Sequence, residues 1–333
     1  MSETAVSLTT LLDPVSPADF FADSFDLAPL HVRGDPRKFA AVMSWEVLNG
    51  LLAMDVWTGQ TLQLYADTQR VPPAAYCEHA INRNRQQVLL PDPEKVKALI
   101  GRGASLLLNE VESLHAGTLA VAQALQDGLG AKSAANVYGS WQGHRAFDSH
   151  YDRHDVFVLQ ISGSKVWRIY QGRTEHPIEH AAFYQVPQAE YDRLKGPIAS
   201  ELEMQPGDLL YLPRGQYHDA LASSAASLHV TFCCTRPTGL DLLTGLWEQA
   251  VDDALFRAYL PSEPKALDAH VSELMARLAG MAGGDEGRAQ LAALQERFRI
   301  KRGAFDLPNR GAAEMPPDRD GGPPRVHHLM TGS

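Results

Sequence analysis

The run Asp155-Val156-Phe157-Val158-Leu159-Gln160-Ile161, the punctuation Ser162-Gly163-Ser164 and the return Lys165-Val166-Trp167-Arg168-Ile169-Tyr170 decide the fold of this chain. Two apolar runs rich in β-branched and aromatic residues flank a turn sequence, so the spacing predicts two strands paired as a hairpin. The same signature recurs on either side. Residues 136–138, 209–212, 217–221 and 228–232 form further short runs separated by Gly, Pro and Asp. Many short strands punctuated in this way predict an antiparallel sandwich or barrel over 136–235.

Working outward, the period changes. Toward the N-terminus, Ser16-Pro17-Ala18-Asp19 and Pro91-Asp92-Pro93-Glu94 each place a capping side chain before a proline in the first helical turn. A strand is expected over 104–108 and a helix over 114–129, stopped by Gly130. Toward the C-terminus, Leu243, Leu246, Trp247, Ala250, Val251, Ala254, Leu255 and Ala258 predict a single one-faced helix. Two more helices follow over 267–281 and 291–298. The expected division is an N-terminal α/β region over 1–135 packing on the core, a β core over 136–235 with the metal site, a helical dimerisation region over 236–302, and a flexible Pro- and Gly-rich tail over 303–333.

Composition excludes several classes. With 333 residues, 44% apolar and 21% charged, the chain is ordinary globular material. The net charge of −10 is spread without a basic block, which disfavours nucleic acid as a partner. Three cysteines, two of them adjacent, exclude a disulfide framework. No apolar run approaches the ~18 residues of a membrane span, and Met1-Ser2-Glu3-Thr4 lacks the basic start of a secretory signal, so a cytoplasmic location is expected.

The chemistry sits in Ser149-His150-Tyr151-Asp152-Arg153-His154. On a strand, side chains two apart share a face, so His150 and Asp152 are expected to converge. Pro213-Arg214-Gly215-Gln216-Tyr217-His218 places a second imidazole at the opening of another strand. Two imidazoles and one carboxylate leave one side of a metal open, the arrangement of non-haem Fe(II) oxygenases rather than of a closed structural zinc site. Taken alone, His-x-Asp with a distant His is equally the pattern of polar strand ends. Lys165 enters the returning strand, where a buried cation calls for an anion such as a dicarboxylate. His154 is expected at the rim, and His144 and Arg145 in a loop over 139–149 at the substrate entrance.

His150-Tyr151-Asp152 with Asp155-Val156-Phe157-Val158-Leu159-Gln160, Gly163 and Lys165-Val166-Trp167-Arg168 resembles the Jumonji C (JmjC) oxygenases of the cupin superfamily, in particular the bacterial ribosomal-oxygenase-like group. Pro206-Gly207-Asp208-Leu209-Leu210-Tyr211-Leu212-Pro213-Arg214-Gly215 before His218, Ser227-Leu228-His229-Val230-Thr231 after it, and the opening Ser16-Pro17, Phe20-Phe21 and Pro29-Leu30-His31-Val32-Arg33-Gly34 extend the likeness over about residues 8 to 235. The resemblance implies a double-stranded β-helix (jelly-roll/cupin) core with added helices and a C-terminal helical region. It implies Fe(II) on His150, Asp152 and His218, 2-oxoglutarate as cosubstrate paired with Lys165, and O2 as oxidant. Asn136 and Tyr138 match positions lining the cosubstrate pocket, a satisfied core hydrogen bond being the alternative for both, and Thr231 on the returning strand is expected to reach the same pocket. The chain departs from the pattern at Cys233, where relatives carry Ser, and at Gly139-Ser140-Trp141, where they show Thr-Pro-Pro.

The function this implies is hydroxylation of a protein or peptide side chain, such as Arg or His of a ribosomal protein, with succinate and CO2 as coproducts and a homodimer built by the C-terminal helices. The competing readings are a hydroxylase of a free amino acid or biosynthetic peptide, and a cupin that binds metal and 2-oxoglutarate as a sensor without turnover.

Overall fold

The computed structural model describes residues 6–81, 85–141, 147–183 and 187–298. The predicted tail over 303–333 and the entrance residues His144 and Arg145 lie outside the described residues. The chain opens with α1 (Leu8–Leu12), α2 (Pro17–Asp23), β1 (Leu30–Val32), α3 (Trp45–Leu52), β2 (Leu62–Ala66), β3 (Gln69–Arg70), β4 (Cys77–Ile81) and β5 (Gln87–Pro91). Next come α4 (Pro93–Ile100), β6 (Ser105–Leu108), α5 (Ala116–Leu129), β7 (Lys132–Trp141), β8 (Asp155–Ser162), β9 (Lys165–Arg173) and α6 (Gln188–Leu194). The remainder is β10 (Ile198–Met204), β11 (Leu209–Leu212), β12 (Gln216–Ala222), β13 (Ala226–Thr235), α7 (Gly239–Ala250), α8 (Ala254–Arg257), α9 (Pro264–Ala282) and α10 (Gly284–Phe298).

Helix starts follow the capping logic. Ser16 accepts from the Asp19 N–H and Asp92 from the Lys95 N–H, each satisfying a donor that the first turn leaves free. Gly130, at φ +62°, ends α5.

Two antiparallel sheets form the core. The larger runs β1-β11-β8-β13-β7-β6-β2-β3, and the smaller β10-β9-β12. Strand β8 is buried at six of its eight positions, with an apolar run over 156–159, because both of its faces are covered. Phe157 and Leu159 point outward into a cluster with Phe20, Val121 and Leu125, which binds the N-terminal elements to the sheet. Val156 and Val158 point inward, against Trp167, Ile169 and Met204 of the second sheet. The space between the sheets is therefore partly filled by core and partly left for a site.

The expected hairpin does not form. Strands β8 and β9 follow one another but belong to different sheets, β8 pairing with β11 and β13, and β9 with β10 and β12. The residues between them arch across instead of reversing in the plane. Gly163 takes φ +64°, and a Cβ there would lie 1.9 Å from the Ala226 carbonyl oxygen. Gln160 Nε2 donates to the carbonyls of Ser162 and Gly163, each at 3.0 Å, and to Ser227 Oγ at 2.9 Å, pinning the arch.

The predicted single helix through Leu243 to Ala258 is broken. α7 ends at Ala250, and Asp253 caps the short α8. Its apolar residues divide between two faces: Leu246 and Ala250 bury against Met281, whereas Leu243, Trp247 and Val251 stay exposed, Trp247 by 73%. Among the described residues, no helix is long and apolar enough to cross a membrane.

Candidate metal centre

His150, Asp152 and His218 converge, but strand alternation does not bring them together. Residues 149–154 form no strand. His150 is instead joined to His218 by an isolated antiparallel bridge, with reciprocal N–H to carbonyl hydrogen bonds of 3.0 and 2.9 Å. The Gly215 N–H donates to the Asp152 carbonyl at 2.8 Å, which ties the two ligand-bearing segments a second time. One possible ligand atom from each of the three side chains lies within 4.8 Å of the others, and His218 Nε2 stands 3.6 Å from Asp152 Oδ2.

Both imidazoles are oriented by main-chain acceptors. His150 Nδ1 lies 2.8 Å from the Asp148 carbonyl, and His218 Nδ1 lies 2.9 Å from that of Gln216. A carbonyl can only accept, so Nδ1 carries the hydrogen and the Nε2 lone pair of the neutral ring is left for a metal. Protonation states agree with this. Burial, reinforced by His150, depresses His218 to about 4. Burial opposes ionisation of Asp152, but His154, His150 and His218 outweigh it and hold the carboxyl below its usual range. At neutral pH the pair is an imidazole and a carboxylate, the forms in which both donate to a cation.

The three groups open into a cavity of about 540 Å³ that is also lined by Lys165, Asn136, Tyr138 and Thr231. Every residue that the sequence singled out for the site thus borders one space. Lys165 is 5% exposed, and burial lowers its amine to about 7. Its one hydrogen bond among the described residues is to Ser140 Oγ at 3.3 Å. Ser140 lies within β7, so Gly139-Ser140-Trp141 is strand and not the expected loop. Asn136 and Thr231 are register partners across β7 and β13. Asn136 Oδ1 also accepts from the Glu110 N–H at 3.3 Å, and its Nδ2 lies 3.8 Å from Cys233 Sγ. His154 is half-buried on the cavity lining beside Cys233, and although burial opposes its charge, Cys233 and Asp152 raise its pKa.

Sequence reasoning missed His229 and Trp167 as members of the site. His229 is the register partner of Tyr138 and stacks on it, with centroids 4.7 Å apart and planes at 2°, while Trp167 meets it edge-on at 5.9 Å. The signal was present in the two-residue spacing of His229 and Thr231 on one strand. Burial, together with Lys165, pushes His229 well below the usual histidine range. His229 Nδ1 and Trp167 Nε1 are buried without a hydrogen-bond partner. With the Lys165 amine, which uses one of its three donors on Ser140, they leave the cavity wall with spare polar capacity, which fits an anionic ligand rich in acceptor oxygens.

Residues 115–242 match the JmjC domain family. Over these residues the chain carries the JmjC pattern, and the ribosomal oxygenases are among the proteins it is similar to. The JmjC domain spans the arch, both ligand-bearing segments and the start of α7. The chain is 31% identical over 225 residues to Ribosomal oxygenase 1 of Gallus gallus, an alignment covering 66% of this chain and 35% of that protein. It is 28% identical over 233 residues to the bifunctional lysine-specific demethylase and histidyl-hydroxylase NO66 of Drosophila willistoni, covering 67% and 28%. The chain thus spans about a third of the length of these curated relatives. Among solved structures, YcfD of Escherichia coli superposes with a TM-score of 0.58 at 18% identity, covering 92% of this chain and 77% of YcfD. That likeness shows the fold: a double-stranded β-helix core of the JmjC type, followed by a helical region.

Proposed function

We propose that this JmjC-domain protein is an Fe(II)- and 2-oxoglutarate-dependent oxygenase that hydroxylates a side chain of a protein or peptide. The observation that carries the reading is the pairing of two features in one cavity: two imidazoles and a carboxylate meeting from one side, and a buried amine with no carboxylate partner among the described residues. Such a donor set suits Fe(II) and leaves coordination positions for exogenous ligands. Iron held there would activate O2, the oxidant, with 2-oxoglutarate as co-reductant: one oxygen atom would enter succinate as CO2 is released, and the other would enter a C–H bond.

His150, Asp152 and His218 would hold the metal, the two imidazole rings fixed by the Asp148 and Gln216 carbonyls. Lys165 pairs with the distal carboxylate of the cosubstrate, within a wall formed by Asn136, Tyr138, Thr231 and His229. Tyr65, Phe147 and Trp167 surround the space with aromatic surface that excludes water from the reacting groups. A YcfD structure is described as a complex with cobalt and 2-oxoglutarate, and the curated relatives are named ribosomal oxygenase and histidyl-hydroxylase. These names support a protein side chain as substrate, with Arg or His of a ribosomal protein as the particular expectation. The same reading places the chain in the cytoplasm. It makes the chain a homodimer through the exposed face of Leu243, Trp247 and Val251.

The test is oxygen uptake and succinate formation with Fe(II) and 2-oxoglutarate, followed by a search for a single added oxygen in polypeptides of a cell extract. His150→Ala and Asp152→Ala should abolish both signals. Binding of metal and 2-oxoglutarate without oxygen uptake in the presence of any candidate polypeptide would replace this reading with a sensor.

A further inference from the structure

A second cavity, of about 560 Å³, adjoins the first. Arg153 and His154 line both, so the segment that follows Asp152 is the wall between them. Beyond that wall the lining holds three guanidinium groups, those of Arg153, Arg214 and Arg236, and four carboxylates, those of Asp26, Asp155, Glu179 and Asp241. Most of these charges are already matched. Arg236 lies 3.6 Å from both Asp26 and Asp155 and covers the Phe25 ring at 4.3 Å. Asp155 also accepts from the Tyr211 hydroxyl and the Arg214 N–H. Arg153 is engaged by Glu179, a side chain 76% exposed.

Arg214 is the exception. Among the described residues it forms no ion pair; one Nη contacts His176 Nδ1 at 3.2 Å, and its Nε is buried without a hydrogen-bond partner. Its main-chain N–H is anchored to Asp155 at 3.2 Å, and the next residue is anchored to Asp152, so the guanidinium is held on the side of the wall away from the metal ligands. A fixed, incompletely satisfied guanidinium in a concave site favours a carboxylate, which meets its planar donors two at a time.

We propose that this cavity is a substrate subsite that takes a carboxylate located a few residues from the side chain being oxidised, with Arg214 as the principal contact and Arg153 as the second. The inference rests on the polypeptide-oxygenase reading above, since one chain segment would have to occupy both cavities. It defines a substrate class: polypeptides carrying an Asp or Glu side chain, or a free C-terminus, close to the modified residue.

The probe is a set of fluorescein-labelled heptapeptides with a central Arg or His. Each flanking position carries Glu or Gln in turn, and the C-terminus is either free or amidated, which separates the two sources of carboxylate. Binding to the full chain is followed by anisotropy with Mn(II) and saturating 2-oxoglutarate under nitrogen, so that the cosubstrate and not the peptide occupies Lys165. One carboxylate position should tighten binding about tenfold over its amide counterpart, the scale of a hydrogen bond to a charged group. Arg214→Gln should remove that preference. Glu179→Gln, which frees Arg153 from a surface competitor, should enlarge it. Equal binding of acid and amide at every position, a preference unchanged in Arg214→Gln, or no binding by any peptide would overturn the proposal. Oxygen uptake measured in parallel keeps the two ideas apart: an intact acid preference without oxygen uptake defeats the oxygenase reading alone.

Discussion

Replacing Lys165 with Met should make the ligand-free protein more stable while destroying its affinity for the cosubstrate. The amine is buried, and burial lowers it from the usual 10.5 to about 7. At about 1.4 kcal/mol per tenfold change in proton affinity, that drop corresponds to roughly 5 kcal/mol of penalty on the charged form. Replacing a buried charge with an apolar side chain of similar volume commonly recovers about 1–4 kcal/mol. Lys165→Met is therefore expected to raise the unfolding free energy by about 1–4 kcal/mol at pH 7. The pH dependence fixes the sign. The folded-state value lies below the unfolded one, so between pH 7 and 10.5 the unfolded chain binds more protons and wild-type stability climbs with pH. The advantage of the variant is full below pH 7 and fades as pH rises toward 10.5. Urea unfolding of both proteins at pH 6, 7 and 9 measures this, with 2-oxoglutarate affinity expected to fall at least about thirtyfold. A variant less stable than the wild type at pH 6 would refute the reasoning, because the amine would then have an anionic partner within the protein.

Three further outcomes follow from other parts of the structure. The metal-free protein should lose stability as pH falls from 6.5 toward 4, because unfolding lets His218, held at about 4, take up a proton; that group alone contributes about 3 kcal/mol, His229 acts in the same direction, and His218→Asn should give a shallower acid limb in urea titrations. Gly163→Ala should cost at least about 2 kcal/mol or prevent folding, read from thermal melts, since it combines a left-handed backbone with a collision at the Ala226 carbonyl. The wild type should behave as a dimer in light scattering and Trp247→Glu as a monomer; a wild-type monomer at working concentrations would remove the role assigned to that face.

The candidate ligands were legible through the motifs around them: His150, Asp152 and His218 alone also fit polar strand ends, and it is the flanking sequence through Lys165 that singles them out. The route by which they meet was not. Alternation along a strand predicted the convergence of His150 and Asp152, whereas an isolated bridge between His150 and His218 in fact brings the ligand-bearing segments together. The sequence 162–164 marks a change of direction, but a hairpin and an arch both want glycine there, so local chemistry could not say whether the next strand joins the same sheet or the facing one. β10 escaped notice because its burial is slight: a largely exposed edge strand carrying Glu201 and Glu203 has little of the apolar rhythm by which strands are recognised. The stripe on α7 was read as one face because helical spacing cannot distinguish residues that bury within the chain from neighbours about 100° around the same helix.

The bridge between His150 and His218 is made of peptide groups alone. A loop is thereby stitched to the start of β12 by atoms that every amino acid except proline provides, and the rings hang from the seam without holding it closed. Ligand identity and scaffold integrity are separable in such a design. Exchanging an imidazole for another donor should leave the surrounding architecture assembled, so that the donor set can be altered by single substitutions.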